Sequence, residues 1–375
     1  MPSSPSIRSA AIRPHRRAVR IWLYLLAGLV VAMVALGGAT RLTGSGLSIT
    51  EWKPVTGAIP PLSAADWAAE FEKYRGTPQY KILNDGMGLD SFKALYWWEW
   101  AHRLLGRLIG LAFFLPLIVF WLRGALDRRL GLGLVALGVV GAFQGAIGWI
   151  MVASGLQPGM TAVAPVKLAL HLTTASVILA GLVWLAAGTR SVALAPAPGR
   201  IRAGSVALML LVLVQIALGG LVAGSHAGLA YNTWPTMNGR FVPPLDVLFA
   251  TVPWIENFVD NLTLVQFNHR MVAYLVVILA VLHAFDARLS APGTGAARRA
   301  AGVAILALAQ MGLGIATLLL AVPLWAALAH QVFAMAVLTM ATAHARLSRG
   351  HVAVATAVGE PVVPFGFEPL AGRTT

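Results

Sequence analysis

Eight separate apolar runs dominate this chain, at roughly Ile21 to Gly38, Leu95 to Leu122, Leu130 to Ala153, Val166 to Ala187, Gly204 to Val222, Leu262 to Phe285, Ala300 to Val322 and Trp325 to Ala345. Each is near or above the ~20 residues that a helix needs to cross a bilayer. A backbone in hydrocarbon has no water to bond with, so it must pair its own polar groups, and helices do this within one segment. The expected fold class is therefore all-α and integral to the membrane, with eight transmembrane helices and both termini on one side. Only 11% of the 375 residues are charged, far from the roughly 25% of a soluble domain. The first run follows Arg8, Arg13, Arg16, Arg17 and Arg20 in the manner of a signal peptide. It is too long for one, and Gly37 to Arg41 offers no convincing cleavage site, so it reads as an anchor.

The positive charges fix an orientation. The N-terminal arginines, Arg123/Arg128/Arg129, Arg190/Arg200/Arg202, Arg288/Arg298/Arg299 and Arg346/Arg349/Arg373 all fall on one side. The other side carries fewer cations, spread over long loops, and Arg103, Arg107 and Arg270 fall within helices. The positive-inside rule then places both termini in the cytoplasm. The net charge of +14 is first a topology signal. Nucleic-acid binding is a poor second reading of that charge, because the arginines sit in separate short loops and form no single stripe. With no cysteine, disulfides, thiolate metal sites and a cysteine nucleophile are excluded.

The chain aligns with itself as two copies of a four-helix unit. GGATRLTGSGLSITEW (Gly37 to Trp52) aligns without gaps to GGLVAGSHAGLAYNTW (Gly219 to Trp234), and EWAHR (Glu99 to Arg103) aligns to QFNHR (Gln266 to Arg270). His171 corresponds to His330, Gln144 to Gln310, and Gly148 to Gly314. Repeats separated by four spans share one orientation in the bilayer. The expected units are a basic N-terminus (1–20), a first bundle (21–190), a second bundle (200–346) and a tail (347–375). Two outer loops are long. In the first, Ser63 to Asp66 resembles a capping box and precedes Trp67, Phe71 and Tyr74 at helical spacing. In the second, Val247 to Phe258 has a similar apolar character.

Four of nine histidines fall at one depth: His102, His171, His269 and His330, each near the outer start of its helix. At ~1.5 Å per residue they lie on the order of 10 Å in. A histidine in a membrane helix is costly unless it faces the bundle interior and finds a partner. One pair in each repeat points to metal ligation, and imidazoles on facing helices without a carboxylate or cysteine set suit haem iron better than zinc. Gly106 and Gly110 follow His102 at helical spacing, as room for a porphyrin face or as ordinary close packing. Arg103, Arg107 and Arg270 are either partners for haem propionates or snorkelling cations. His283 and His344 each lie 14 residues beyond a ligand candidate, the spacing of stacked haems. The first repeat has Pro116 and Leu185 there, which favours plain interfacial histidines.

Glu99 points to catalysis. It precedes His102 by one helical turn, so the two share a face, and an intramembrane carboxylate is functional by default. Its counterpart is the uncharged Gln266. One site would react while the other carries electrons; the alternative is an ion pair between Glu99 and Arg103.

Five strings carry a resemblance: GGATRLTGSGLSITEWKPVTGAIPPL (Gly37 to Leu62), EWAHRLLGR (Glu99 to Arg107), QGAIGWIMVASGL (Gln144 to Leu156), AGLAYNTWPTMNGR (Ala227 to Arg240) and QFNHRMVAY (Gln266 to Tyr274). The chain resembles the haem A synthase family, in its cysteine-free branch of proteobacteria and mitochondria. The resemblance implies two four-helix bundles in the bacterial inner membrane. It implies haem b between His269 and His330, haem O as substrate between His102 and His171, and a carboxylate, Glu99, needed for activity. The implied reaction oxidises the C8 methyl of haem O to the formyl of haem A by successive hydroxylations. Glu99 would stabilise a cationic intermediate or take up a proton at the methyl. Implied partners are membrane lipid, a haem O synthase and an electron donor or acceptor, and a homo-oligomer is admitted. A non-catalytic membrane cytochrome b and a haem chaperone or transporter are the competing readings.

Overall fold

The structure is a computed structural model that describes residues 8–190 and 194–350. The expected tail beyond Gly350, with Arg373, lies outside the described residues, as do residues 1–7 and the side chains of Arg8 and Arg13. Among the described residues the regular structure is helical, without strands. The helices are α1 (Arg8–Leu42), α2 (Ala64–Arg75), α3 (Pro78–Leu83), α4 (Leu89–Leu122), α5 (Arg128–Gly155), α6 (Pro165–Gly188), α7 (Gly199–Gly224), α8 (Leu245–Leu248), α9 (Leu262–Ser290), α10 (Gly295–Leu319) and α11 (Leu324–Ser348). Eight of them, α1, α4, α5, α6, α7, α9, α10 and α11, are long and apolar enough to cross a membrane.

The long helices close into two rings of four. In the first, α1 packs on α4 and α6, and α5 packs on α4 and α6; in the second, α7 packs on α9 and α11, and α10 packs on α9 and α11. The rings meet where α6 lies against α7 and α11, and where α1 lies against α11. A Cβ added to Gly220 would stand 2.8 Å from the Ala169 Cα, and one on Gly224 would stand 2.7 Å from the Pro165 Cα. Glycine there lets the α6 and α7 backbones touch, which is how helices associate where lipid supplies no hydrophobic drive. The shared interior runs through both rings, with Leu23, Leu26, Leu179, Val183, Leu208 and Leu338 buried in one cluster. The outside is apolar as well: Leu25, Leu115, Phe143, Leu282 and Ile305 are each more than half exposed. An apolar exterior of that extent needs lipid around it, so the chain is a multi-pass membrane protein.

Helix ends are set by ordinary capping chemistry. The Asp127 side chain accepts from Leu130 N–H at the start of α5, and Asn261 accepts from Thr263 and Leu264 N–H at the start of α9. Such a cap contributes about 1 kcal/mol. The capping box read at Ser63 is present in full: Asp66 N–H donates to Ser63 Oγ, and Ser63 N–H donates to the Asp66 carboxylate. Three boundaries differ from the sequence reading. The fourth helix begins at Leu89, because Gly88 caps it in an extended conformation and its polar first turns pack under α2. There Phe92 and Tyr96 join Tyr74 and Tyr80 in an aromatic cluster roofing the first bundle. Helix α10 stops at Leu319, because the chain turns through Ala321 and Val322 with φ of 57° and 59°. The segment Val247 to Phe258 is no single helix: it splits into α8 and a 3-10 turn (Trp254–Phe258). Pro253 between them has no N–H to give and disfavours helix at the preceding residue.

Candidate functional site

Each of the four candidate histidines lies against a glycine of the neighbouring helix. A Cβ on Gly37 of α1 would be 3.0 Å from His102 Nε2, and one on Gly148 of α5 would be 2.9 Å from His171 Cε1. In the second ring the corresponding distances are 3.1 Å from Gly219 of α7 to His269 Cε1 and 2.7 Å from Gly314 of α10 to His330 Cε1. Any side chain at these places would displace the ring. The glycines are seats that bring imidazoles inward at helix crossings. His269 and His330 face one another with ring centroids 6.5 Å apart and planes at 80°. Gly110 has open space beside it, and Gly106 faces the Met33 methyl.

One turn before three of those seats stands a glutamine. Gln144 donates to the His171 carbonyl at 3.0 Å, Gln215 to that of His269 at 3.0 Å, and Gln310 to that of His330 at 2.9 Å. The same amide nitrogens reach the rings: 3.1 Å to Nδ1 of His269 and of His330, and 3.4 Å to Nε2 of His171. The amide oxygens of all three, and His171 Nδ1, are buried without a partner in the protein. Gln144 and Gln310 were visible as aligned positions, but Gln215 was not singled out. The signal was present in the spacing, since Gln144–Gly148, Gln215–Gly219 and Gln310–Gly314 all read Gln-x-x-x-Gly.

The carboxylate of Glu99 is 3% exposed and engaged on both oxygens. One oxygen accepts from Ser48 Oγ and Ile49 N–H, both at 2.8 Å; the other accepts from Arg103 Nη2 at 2.7 Å and Nε at 3.1 Å. The ion pair weighed as the alternative for Glu99 is therefore present. Gln266 lies in the same relation to the second loop with opposite polarity, its amide donating to the carbonyls of Ala227 and Tyr231. The arginines neither snorkel nor stand free. Arg103 donates to the carbonyls of Ile49 and Glu51, Arg270 to those of Tyr231 and Thr233, and Arg107 to those of Lys53 and Pro54. They tie the outer loops down over the two rings of helices. Arg107 Nη1 and Arg270 Nε remain buried without a partner.

His283 and His344 lie in the last turns of α9 and α11, are 9% and 1% exposed, and their Nε2 atoms are 2.9 Å apart in a direct hydrogen bond. Ser348 Oγ pairs with His344 Nδ1 at 3.2 Å. Two imidazoles on one metal each need a bond of about 2 Å, so rings bonded to one another leave no place for an iron between them.

The outer pairs fit haem better. Their donors are imidazoles alone, the His269 and His330 rings make no bond to each other, the glycine seats clear the helix surface, and unpaired polar atoms line the rings. Among the described residues no group of three or more His, Asp or Glu gathers as a bare-ion site would require. The two places are also joined. Beside His330, Gln331 donates 2.8 Å to the Val34 carbonyl of α1, and a Cβ on Gly38 would be 2.7 Å from its Oε1. Gly38 adjoins Gly37, the seat of His102.

The chain is similar to known proteins along nearly its whole length. A protein named Heme A synthase from Methylobacterium radiotolerans is 76% identical over 95% of this chain and 96% of its own length. Another from Methylorubrum extorquens strain PA1 is 72% identical over 98% of this chain and 96% of its own. One from Brucella ovis is 50% identical over 89% and 93%. The model of the COX15-CtaA family, described as cytochrome oxidase assembly protein, matches residues 20–342. With eight apolar helices, no cysteine and a match across nearly the whole chain, this protein belongs to that family.

Proposed function

We propose that this protein is a haem A synthase of a bacterial inner membrane, converting the C8 methyl of haem O to the formyl group of haem A. The observation that supports the reading is the glycine-seated histidines in both rings of helices, with a buried carboxylate, Glu99, one turn before His102 where the second ring has Gln266 before His269. His102 and His171 hold the substrate haem O. His269 and His330 hold a resident haem b, which when bound supplies a one-electron redox centre that amino acids lack. Two successive hydroxylations of the methyl, each adding the oxygen of one water and releasing two electrons and two protons, followed by loss of water, give the formyl group; the electrons go to a membrane acceptor.

The protein's own residues set the geometry. His102 and His171 orient the substrate, and the roof of α2 and α4 keeps bulk water from it. Glu99 stabilises positive charge developing at the methyl or takes up its proton. Arg103 and the Ser48–Ile49 segment hold that carboxylate in place. The short basic loops lie in the cytoplasm, with both termini, and the histidines lie near the periplasmic face. The substrate comes from a haem O synthase, and the electrons leave to a membrane acceptor.

A second reading has one observation in its favour. The ion pair of Glu99 with Arg103 is what a purely structural carboxylate would make, as in a cytochrome b that only passes electrons. Expression with a source of haem O, followed by chromatography of the extracted haems, separates the two. Haem O with its hydroxylated and formyl derivatives beside haem B is expected; haem B alone would replace the enzyme with the carrier.

A further inference from the structure

One wall of the first ring is open where the same wall of the second is closed. In the second ring α9 and α10 pack closely, whereas in the first α4 meets α5 only lightly. The two helices of the first ring touch in their inner halves. Trp121 lies against Gly131, and Phe113 and Phe114 lie against Gly138, where an added Cβ would come within 3.1 and 3.2 Å of those rings. Toward the outside the helices part. Gly110 continues the line of Trp121 and Phe114 along α4, and Gly141 and Gly145 continue that of Gly131 and Gly138 along α5, at the spacing of one helix face. A Cβ on any of these three would nevertheless meet nothing within 4 Å, and Gly141 and Gly145 are exposed. Opposed faces that carry no side chain and still do not touch leave a slot between them.

The slot leads from lipid to the first histidine pair. Its neighbours in sequence, Leu111 and Phe143, are 55% and 63% exposed, so this side of the ring faces the bilayer. Inward, Gly148, the seat of His171, is the next position of the same line on α5, and Gln144 beside Gly145 has its amide oxygen buried without a partner. Gly106 and Gly110 follow His102 by one and two turns, roughly 6 and 12 Å deeper at ~1.5 Å per residue. Under the alignment that matches His102 with His269 and Gln144 with Gln310, the glycines at 106, 110, 141 and 145 become Ala273, Val277, Ala307 and Met311. Ala307 is 3% exposed. Side chains thus fill in one ring what glycine leaves open in the other.

Haem O differs from haem B in carrying a long isoprenoid chain. That chain must leave the ring of helices somewhere, because the interior below the histidines is filled by Leu23, Leu26, Leu179 and Val183. We infer that the slot between the outer halves of α4 and α5 seats the isoprenoid chain of the substrate haem and lets that haem pass sideways between the bilayer and His102 and His171. This rests on the haem reading above and adds where the chain lies. Lipid is as apolar as the slot, so the chain gains little by leaving it; what the glycines supply is room. A resident haem B has no such chain, and its wall is closed.

The chain has no cysteine, so Gly141→Cys in the full-length protein in nanodiscs carries a single thiol, which a lipid-soluble maleimide should label. Added haem O should abolish that labelling, added haem B should not, and Gly28→Cys, at another exposed glycine with nothing within 4 Å, should react whichever haem is present. In a binding titration Gly141→Leu should weaken haem O at least about tenfold and leave haem B within about twofold, with the spectrum of the second site unchanged. Gly110→Leu tests the opposite wall in the same way, and the labelling decides should both leucine variants fail to fold. Haem O that binds, yet protects Gly141→Cys no better than haem B does, would overturn the inference and leave the slot to bilayer lipid, as would leucine variants that weaken both haems equally or neither. A first site that takes up neither haem would overturn the haem reading itself.

Discussion

The two rings of helices each pair a histidine with an arginine on α4 and on α9, and differ in the residue one turn before that histidine. Glu99 and Gln266 stand at the same turn of α4 and α9, each facing an arginine four residues on and each bonded to the loop that follows the first helix of its ring. Arg103 and Arg270 even grip equivalent loop carbonyls, Ile49 and Glu51 in one case, Tyr231 and Thr233 in the other. The architecture therefore does not need the carboxylate, since an amide closes the same loop. In the first ring the Arg103 charge is neutralised at 2.7 Å, whereas among the described residues Arg270 has no acid within ion-pair distance. An acid where an amide closes the same loop is the difference on which the catalytic role proposed for Glu99 rests.

The largest effect should come from erasing it. Glu99→Gln makes the first site resemble the second; haem A formation should fall by about 100-fold or more, with the haem b spectrum unchanged, as read by haem chromatography and absorption on one preparation. Undiminished haem A would leave Glu99 as scaffold. Next, Gly314→Val puts a side chain where His330 now lies, at 2.7 Å for its Cβ alone. Haem content of the second site should fall roughly tenfold or more, whereas Gly312→Val, which meets nothing within 4 Å, should leave it intact. The reverse exchange, Gln266→Glu, supplies Arg270 with an ion pair but loses two donated bonds. It should leave haem A formation within about twofold, because the proposed reaction lies in the first ring, and should shift thermal stability by only about 1–3 kcal/mol.

The smallest effect lies in the roof that only the first ring has. Lys53 and Lys73 hydrogen-bond Glu51 at 2.6 and 2.7 Å and hold its carboxyl down at about 2, against an ordinary value of 4.5. A depressed folded pKa gives stability that is complete above the unfolded value and is lost as pH falls from about 4.5 toward 2. Glu51 is nearly half exposed, so the loss is modest. Lys73→Met should flatten that acid limb of a thermal-melt profile, and an unchanged limb would mean that the contact contributes nothing.

Much of this was legible in the sequence because lipid imposes simple rules. Length and apolarity alone mark the eight spans, and Ser63 with Asp66 marks α2 through a local capping bond. Helix ends inside loops were less legible: the start of α4 depends on packing beneath α2, a contact between distant segments. The histidines announced themselves by rarity and spacing, but Gln215 did not, because a lone glutamine in an apolar helix has no meaning until the facing ring is known. The bond between His283 and His344 was not legible for the same reason. Sequence offset places them near each other's depth, yet only their crossing geometry decides between a bond and a gap.

The amide of Gln331 has a consequence beyond its own helix. It reaches from the residue beside His330 to α1 at Val34 and Gly38, so a backbone of the first ring and a ligand helix of the second are fastened at one level. Electron tunnelling falls off steeply with separation; were the two rings to hold the haems proposed above, this one side chain would help to gauge the span between them.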